Sequence, residues 1–289
     1  MILLRPLFLF VVAIVMGISV SVNAQTLKVP APSPTETLKQ NFALSDITIE
    51  YSRPSVKGRV VFGDLVPFGK VWRTGANSAT KITFGEDLTV EGVAVKAGTY
   101  ALYSMPGKDS WTFMLYNDLT LGGNVSDYKM ENEVARFNVK PNTTADKTET
   151  FTIDIADITI NSAMVELRWE NTRVSFSVKA DIEEKIMKNI QTAMFEDKRP
   201  YYQAANYYYE NNKDQKQALE WVNKAAELNP KAYWVMLLKA KIQFKLNDYD
   251  GAILSAQKVI ELAKADQDDT YVNSGEKLLK EAQSAKKNK

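Results

Sequence analysis

The densest group of side chains able to do chemistry lies between residues 53 and 81. There Arg53, Lys57, Arg59, Lys70, Arg73 and Lys81 stand against Asp64 alone, a local charge of +5. The surrounding stretch 25–180 carries 17 Lys and Arg against 18 Asp and Glu, so the positive charge is concentrated rather than spread. If residues 53–59 are extended, Arg53, Ser55, Lys57 and Arg59 project to one side. Trp72 and Arg73 follow, then Thr74-Gly75-Ala76-Asn77, where Gly75 permits a tight bend and Asn77 offers both a donor and an acceptor. Guanidinium groups beside an indole suit a carboxylate, a phosphate or a sugar face. The expected ligand contacts are therefore Arg53, Lys57, Arg59, Lys70, Trp72, Arg73 and Asn77. The competing expectation is a solvated strand edge, where positive charge blocks edge-to-edge pairing.

What the chain lacks narrows the chemistry further. Its 289 residues contain no Cys and no His. Thiolate nucleophiles, disulfides, imidazole bases and zinc sites built from nitrogen and sulfur are excluded. A charged patch without His does not titrate between about pH 5 and 8. Carboxylate pairs such as Glu86-Asp87, Asp154/Asp157 and Glu183-Glu184 read as solvated faces. Asp266, Asp268 and Asp269 resemble a Ca²⁺ loop only in part, lacking its Gly and distal Glu, and fit a helix start before Thr270 better. No phosphate-binding loop, dinucleotide glycine motif or G-x-S-x-G is present. The expectation is no catalytic residue, no metal and no cofactor.

The elements that must position these residues fall into segments of different grammar. Residues 1–24 place Arg5 before an apolar run from Leu7 to about Val22, ending Val22-Asn23-Ala24. This reads as a secretory signal cleaved after Ala24, with a core too short to span a bilayer. The expected protein is extracytoplasmic, periplasmic or secreted, with no membrane span after cleavage. Without Arg5 the remaining 25–289 balances 35 cations against 35 acids, which gives no net electrostatic reason to bind nucleic acid. Residues 25–35, with three Pro at alternate positions, read as an extended leader.

From 36 to 180 the apolar residues alternate. Ile47, Ile49 and Tyr51 share one face of a strand, as do Trp111, Phe113 and Leu115, and Phe151, Ile153 and Ile155. Glu91-Gly92 joins Leu88–Val90 to Val93–Val95 as a two-residue hairpin. Pro106-Gly107-Lys108-Asp109 marks a second turn, and Asn171-Thr172 reads as a third, between Val165–Trp169 and Val174–Val178. Eight to ten short strands of this kind predict an antiparallel sandwich or jelly-roll-like barrel.

From 181 to 289 the period becomes helical. Ile182, Ile186, Ile190 and Met194 form a stripe over a predicted helix 181–197, with Asp181 as its N-cap. An internal repeat follows at an offset of 34 residues: Asp214 falls on Asp248, Ala218 on Ala252, Val222 on Ala256 and Leu228 on Leu262. Units of about 199–232 and 233–266, with a further helix at about 270–285, resemble tetratricopeptide repeats. The first unit departs from that pattern at Lys213-Asp214-Gln215, and the second carries Gln243 where an aromatic is usual. The whole is an α+β chain, with a β-sandwich domain at 36–180 and a helical repeat domain at 181–289.

The basic stretch also carries a family resemblance. Tyr51-Ser52-Arg53-Pro54-Ser55-Val56-Lys57-Gly58-Arg59, Phe62-Gly63, Leu65-Val66-Pro67-Phe68-Gly69, Trp72-Arg73-Thr74-Gly75-Ala76-Asn77 and Ala97-Gly98-Thr99-Tyr100 resemble the domain of unknown function 2911 family over about 35–180. Many members carry an acid after that Asn, and here it is Ser78. The resemblance implies a bacterial envelope protein with a β-rich domain, and no activity.

These features point to a non-enzymatic binding or scaffold protein of the bacterial envelope. An anionic or saccharide ligand would sit on the sandwich, and the helical repeats would hold a protein partner or brace the β-domain. The alternative is a hydrolase acting on cell-envelope glycan through carboxylates, which needs two acids in one cleft.

Overall fold

The computed structural model describes residues 29–194 and 199–288. The expected export signal and its cleavage site lie outside the described residues, as does the far end of the helix predicted over 181–197. The chain divides into two compact units, Met1–Asp181 and Ile182–Lys289.

The first unit holds ten strands among the described residues: β1 (Thr35–Phe42), β2 (Ser45–Ser52), β3 (Thr80–Phe84), β4 (Leu88–Val90), β5 (Val93–Val95), β6 (Gly98–Met105), β7 (Trp111–Tyr116), β8 (Glu133–Val139), β9 (Asn142–Ala156) and β10 (Ser162–Lys179). They form a six-stranded sheet in the order β1-β2-β3-β6-β7-β8 and a four-stranded sheet in the order β5-β4-β10-β9. Every pairing between these strands is antiparallel. The sheets face one another through aromatic contacts. Phe176 of β10 lies 5.2 Å by ring centroid from both Phe113 of β7 and Phe137 of β8, and Phe151 of β9 lies 5.8 Å from Tyr51 of β2. Ile47, Ile49, Ile82 and Leu102 are fully buried between them. The alternation in the sequence is the imprint of this single shared core.

The Glu91-Gly92 hairpin forms as expected, with φ of 47° and 81° at its two turn residues. The Asn171-Thr172 turn does not. β10 runs unbroken through it, and the buried side changes from odd residues (Val165, Leu167, Trp169) to even ones (Val174, Phe176, Val178). The change of parity occurs at Glu170, whose φ is 55°. A left-handed residue within a strand flips its faces, and this reads as a turn in the sequence.

A second difference lies at β6 and β7, where both sheet faces are buried. Tyr103, Met114 and Tyr116 sit on the outer face, packed under Leu121, Val125 and Tyr128 of the following segment. Tyr103 donates to the Gly122 carbonyl at 2.8 Å, and the Tyr116 hydroxyl accepts from the Lys129 amide at 3.0 Å.

The second unit consists, among the described residues, of α1 (Glu183–Ala193), α2 (Tyr201–Glu210), α3 (Gln215–Leu228), α4 (Tyr233–Lys245), α5 (Tyr249–Ala265) and α6 (Asp269–Lys287). Asp181 does not cap α1; Ile182 holds that position and offers no side-chain bond. The 34-residue offset is visible in burial: Ala218, Ala252, Val222 and Ala256 are all fully buried. Asp214 and Asp248 both cap, accepting from the amides of Lys216 and Gln217 and of Gly251 respectively. Lys213-Asp214-Gln215 thus keeps the capping residue although its neighbours depart from the repeat pattern. Asp268 likewise caps α6, accepting from Thr270 and Tyr271 amides.

Candidate functional site

The basic stretch forms most of the irregular connection between β2 and β3. Its first residues add to the edge of β9: the Phe151 amide donates to the Pro54 carbonyl at 2.8 Å, and the Val56 amide donates to the Glu149 carbonyl at 2.8 Å. β9 has residues to spare for this, because between the Arg168↔Thr152 and Glu170↔Thr148 pairs it advances four residues to two on β10. The expectation of one extended face over 53–59 fails at Lys57 and Gly58, whose φ values of 49° and 72° turn the chain back on itself. Arg53, Lys57 and Arg59 do not share a side.

Most of the predicted contact residues bond within the fold. Arg53 donates from Nε to the Phe151 carbonyl at 3.0 Å and from Nη2 to Thr152 Oγ1 at 2.8 Å, and its Nη1 lies 2.7 Å from Glu36. Arg59 donates to the Val56 and Ser55 carbonyls at 2.9 and 2.6 Å, closing its own turn. Arg73 reaches the Gly123 carbonyl at 3.0 Å, with its Nε buried and unpartnered. Asn77, at φ 59°, donates to the Ser33 carbonyl at 3.1 Å and to Ser52 Oγ at 3.2 Å. Gly75 serves close approach rather than a left-handed bend, since a Cβ there would lie 3.1 Å from the Ser52 carbonyl oxygen. Lys57 and Lys70 are exposed. The structure therefore gathers the three arginines and Asn77 into clamps that hold the connection down.

Trp72 is half-buried. Its backbone bridges to Ser104 in both directions at 2.7 and 2.9 Å, and its Nε1 donates to the Gly75 carbonyl at 3.0 Å. Its ring joins a cluster with Phe62, Trp111, Phe151 and Trp169. At the rim of this cluster opens a cleft of about 190 Å³. Phe62, Phe68 and Trp111 supply its aromatic lining. Phe62 stands edge-on to Trp111 at 4.8 Å, and Phe68 is 37% exposed. The Phe68 ring lies against Gly63, where a Cβ would come within 2.7 Å of it and where φ is 100°. Only glycine satisfies both conditions. Polar groups complete the lining: Asn142, Thr143 and Thr172 from β9 and β10, Lys108 from the β6–β7 turn, and Glu170. One oxygen of Glu170 accepts from the Val61 amide at 3.2 Å. Glu170 is the one carboxylate among the described residues lining this cleft, whereas two-acid glycoside hydrolysis needs a second roughly 5–10 Å away.

Sequence reasoning reached Phe62 and Phe68 only as marks of the resemblance, and missed Glu170. The available signal was the jump in parity between Trp169 and Val174, which marks a bulge as well as a turn.

A second concavity, of about 390 Å³, lies in the helical unit. Tyr209, Leu237 and Phe244 line it with Lys241, Lys277 and Glu281. Lys245 holds Tyr209, donating to the Tyr209 carbonyl at 3.1 Å and lying 4.7 Å from the ring centroid.

The architecture is that of a two-sheet antiparallel β-domain joined in one chain to a helical unit. The chain belongs to the family described as Protein of unknown function (DUF2911), whose model matches residues 33–178, the span of both sheets. No curated protein matches it.

Proposed function

We propose that the chain is an exported binding protein of the bacterial envelope. Its β-domain would take a small ligand at the aromatic cleft, and its helical unit would engage a protein partner or brace the β-domain. The observation that carries this reading is the cleft itself. Phe62 and Phe68 from the family's own motif stretch meet polar groups from β9 and β10 around one opening. Its accessible lining is mostly polar, with the aromatic side chains as the smaller apolar part, which suits a small ligand held chiefly by hydrogen bonds. Ligand contact moves from the predicted arginines to their neighbours. Trp72 backs the wall, and Lys57 and Lys70 remain outward as peripheral cations. The concavity lined by Tyr209, Leu237 and Phe244 supports the protein-binding role of the helices.

Two measurements test this. In a bacterial host the full chain should appear outside the cytoplasm with Gln25 as its first residue; retention of residues 1–24 in the cytoplasm would refute export. Trp111 lines the cleft, so ligand binding should change tryptophan emission, and Phe68→Ala should abolish that change while leaving the fold intact. A Phe68→Ala protein that responds like wild type removes the cleft from consideration.

A further inference from the structure

We infer that the cleft selects a neutral, hydroxylated ring, a single sugar unit of an uncharged glycan, rather than an anion. This rests on the binding reading proposed above and narrows it. The sequence alone left anionic and saccharide ligands equal, because the arginines of 53–73 could hold a phosphate or carboxylate. In the fold Arg53 faces Glu36 and the β9 backbone, Arg59 faces its own turn, and Arg73 faces Gly123. None of the three lines the cleft. Among the described lining residues Lys108 is the one cation and Glu170 the one acid, so the lining carries no net charge to favour an anion. A ligand carboxylate or phosphate would meet the Glu170 carboxylate at close quarters, and like charges there cost affinity.

Glu170 is also held in an unusual way. It is a non-glycine residue at φ 55° within a strand, flanked by register shifts on both sides. Such residues persist where the surroundings over-determine them, and bulges re-aim side chains beside sites. An ionised carboxylate is an acceptor only, and one of its oxygens is already taken by the Val61 amide. The natural complement of the other is a donor hydroxyl. Asn142 offers a donor and an acceptor, and Thr143 and Thr172 offer hydroxyls that do either. A sugar ring presents this mixture at its edge and an apolar C–H face for Phe62 and Phe68. The volume of about 190 Å³ falls below the ~300–1,000 Å³ of drug-sized pockets and fits one ring.

The test titrates the full chain with a neutral gluco-oligosaccharide, a chito-oligosaccharide and an oligogalacturonate of the same length, read by tryptophan emission and calorimetry. Saturable binding of a neutral oligosaccharide, at least tenfold tighter than the oligogalacturonate, is expected. Glu170→Gln keeps the shape and an acceptor for Val61 and should weaken that binding roughly tenfold, the scale of a hydrogen bond to a charged group. Phe68→Ala should abolish it. If the oligogalacturonate binds more tightly and Phe68→Ala abolishes that, the cleft is a site but the neutral class is overturned. If neutral oligosaccharides bind equally well to wild type and Phe68→Ala, they bind elsewhere and this inference falls. No binding of any of the three at millimolar concentration overturns it as well.

Discussion

Trp72 and Trp169 stack, with ring centroids 5.9 Å apart and planes 17° apart. The first belongs to the β2–β3 connection, the second to β10, so the stack ties the irregular segment to the four-stranded sheet. Phe62 and Phe151 add edge contacts to both rings. Trp72 is thus the residue through which the family's Trp-Arg-Thr-Gly-Ala-Asn stretch is anchored. Trp72→Ala should destabilise the β-domain by about 3 kcal/mol, toward the lower end for a large aromatic because the ring is half-buried. Trp72→Phe should recover part of this. Urea unfolding followed by the near-ultraviolet signal of the remaining tryptophans measures both, and a loss below about 1 kcal/mol would contradict an anchoring role.

Arg53 makes a second anchor, of a different kind. Its guanidinium serves three acceptors at once: the Phe151 carbonyl, Thr152 Oγ1 and the Glu36 carboxylate. Arg53→Met should cost roughly 2 kcal/mol, because it takes a donor from the Phe151 carbonyl and from Thr152 and removes the ion pair to Glu36, which keeps the Tyr51 hydroxyl. Arg53→Lys should recover less than half, since an ammonium cannot reproduce the planar fork. Equal stability of the Lys variant and wild type would reduce Arg53 to a charge.

The different fates of these residues explain what was legible in the sequence. Period-2 alternation revealed the strands because one face of most of them meets the shared core, as with Ile47, Ile49 and Tyr51. The outer faces of β6 and β7 were not legible, because Tyr103, Met114 and Tyr116 are covered by a segment distant in sequence. The helical half was readable in its helices and its 34-residue offset but not in its caps. The sequence points to Asp181 as the cap at a position that Ile182 holds, and it marks Asp214 and Asp248, the caps of α3 and α5, only as matching repeat positions. The partners of the basic stretch were not legible for a related reason. A run of cations with Trp has the composition of a binding surface, but their partners (Glu36, Phe151, Gly123) lie on other strands and loops that a linear reading does not connect. Lys57 and Gly58 carry the backbone reversal that separates the charges, and Lys at positive φ leaves no compositional mark.

Buried tyrosines predict the response to alkali. Burial pushes the Tyr51 hydroxyl up to about 12, against opposing help from the Ile153 amide, and burial likewise pushes Tyr103 to about 12. Tyr128 is raised further, by burial and then by its bond to Glu133. A phenol whose pKa is raised on folding contributes its full stability below the unfolded value of about 10. That contribution disappears as pH climbs through the folded value, because the unfolded chain ionises first. The β-domain should therefore lose stability between about pH 10 and 12, by roughly 2 kcal/mol for each of Tyr51 and Tyr103. Tyr103→Phe should flatten that loss. Phenolate absorbance of the folded protein should lag behind that of the denatured chain; coincident titration curves would refute the prediction.

The two capping aspartates test whether the helices act as one cooperative unit. Asp214 accepts from the Lys216 and Gln217 amides at 2.9 and 3.1 Å. Asp248 accepts from the Gly251 amide at 3.0 Å and from Gln243 Nε2 at 3.1 Å. Each substitution by Ala should cost about 1 kcal/mol. Asp248→Ala should cost more, because it also releases buried Gln243, which donates to Asp248 and accepts from Ser255 at 2.6 Å. α4 contributes to both helical cores: Val235, Leu238 and Ile242 pack with α2 and α3, and Leu237 and Ala240 pack with α5 and α6. A shared central helix couples neighbouring repeats, so weakening either cap should lower one common melting transition. Amide exchange should accelerate across α3 and α5 together in both variants. Acceleration confined to α3 in Asp214→Ala and to α5 in Asp248→Ala would show instead that the two helix pairs open independently.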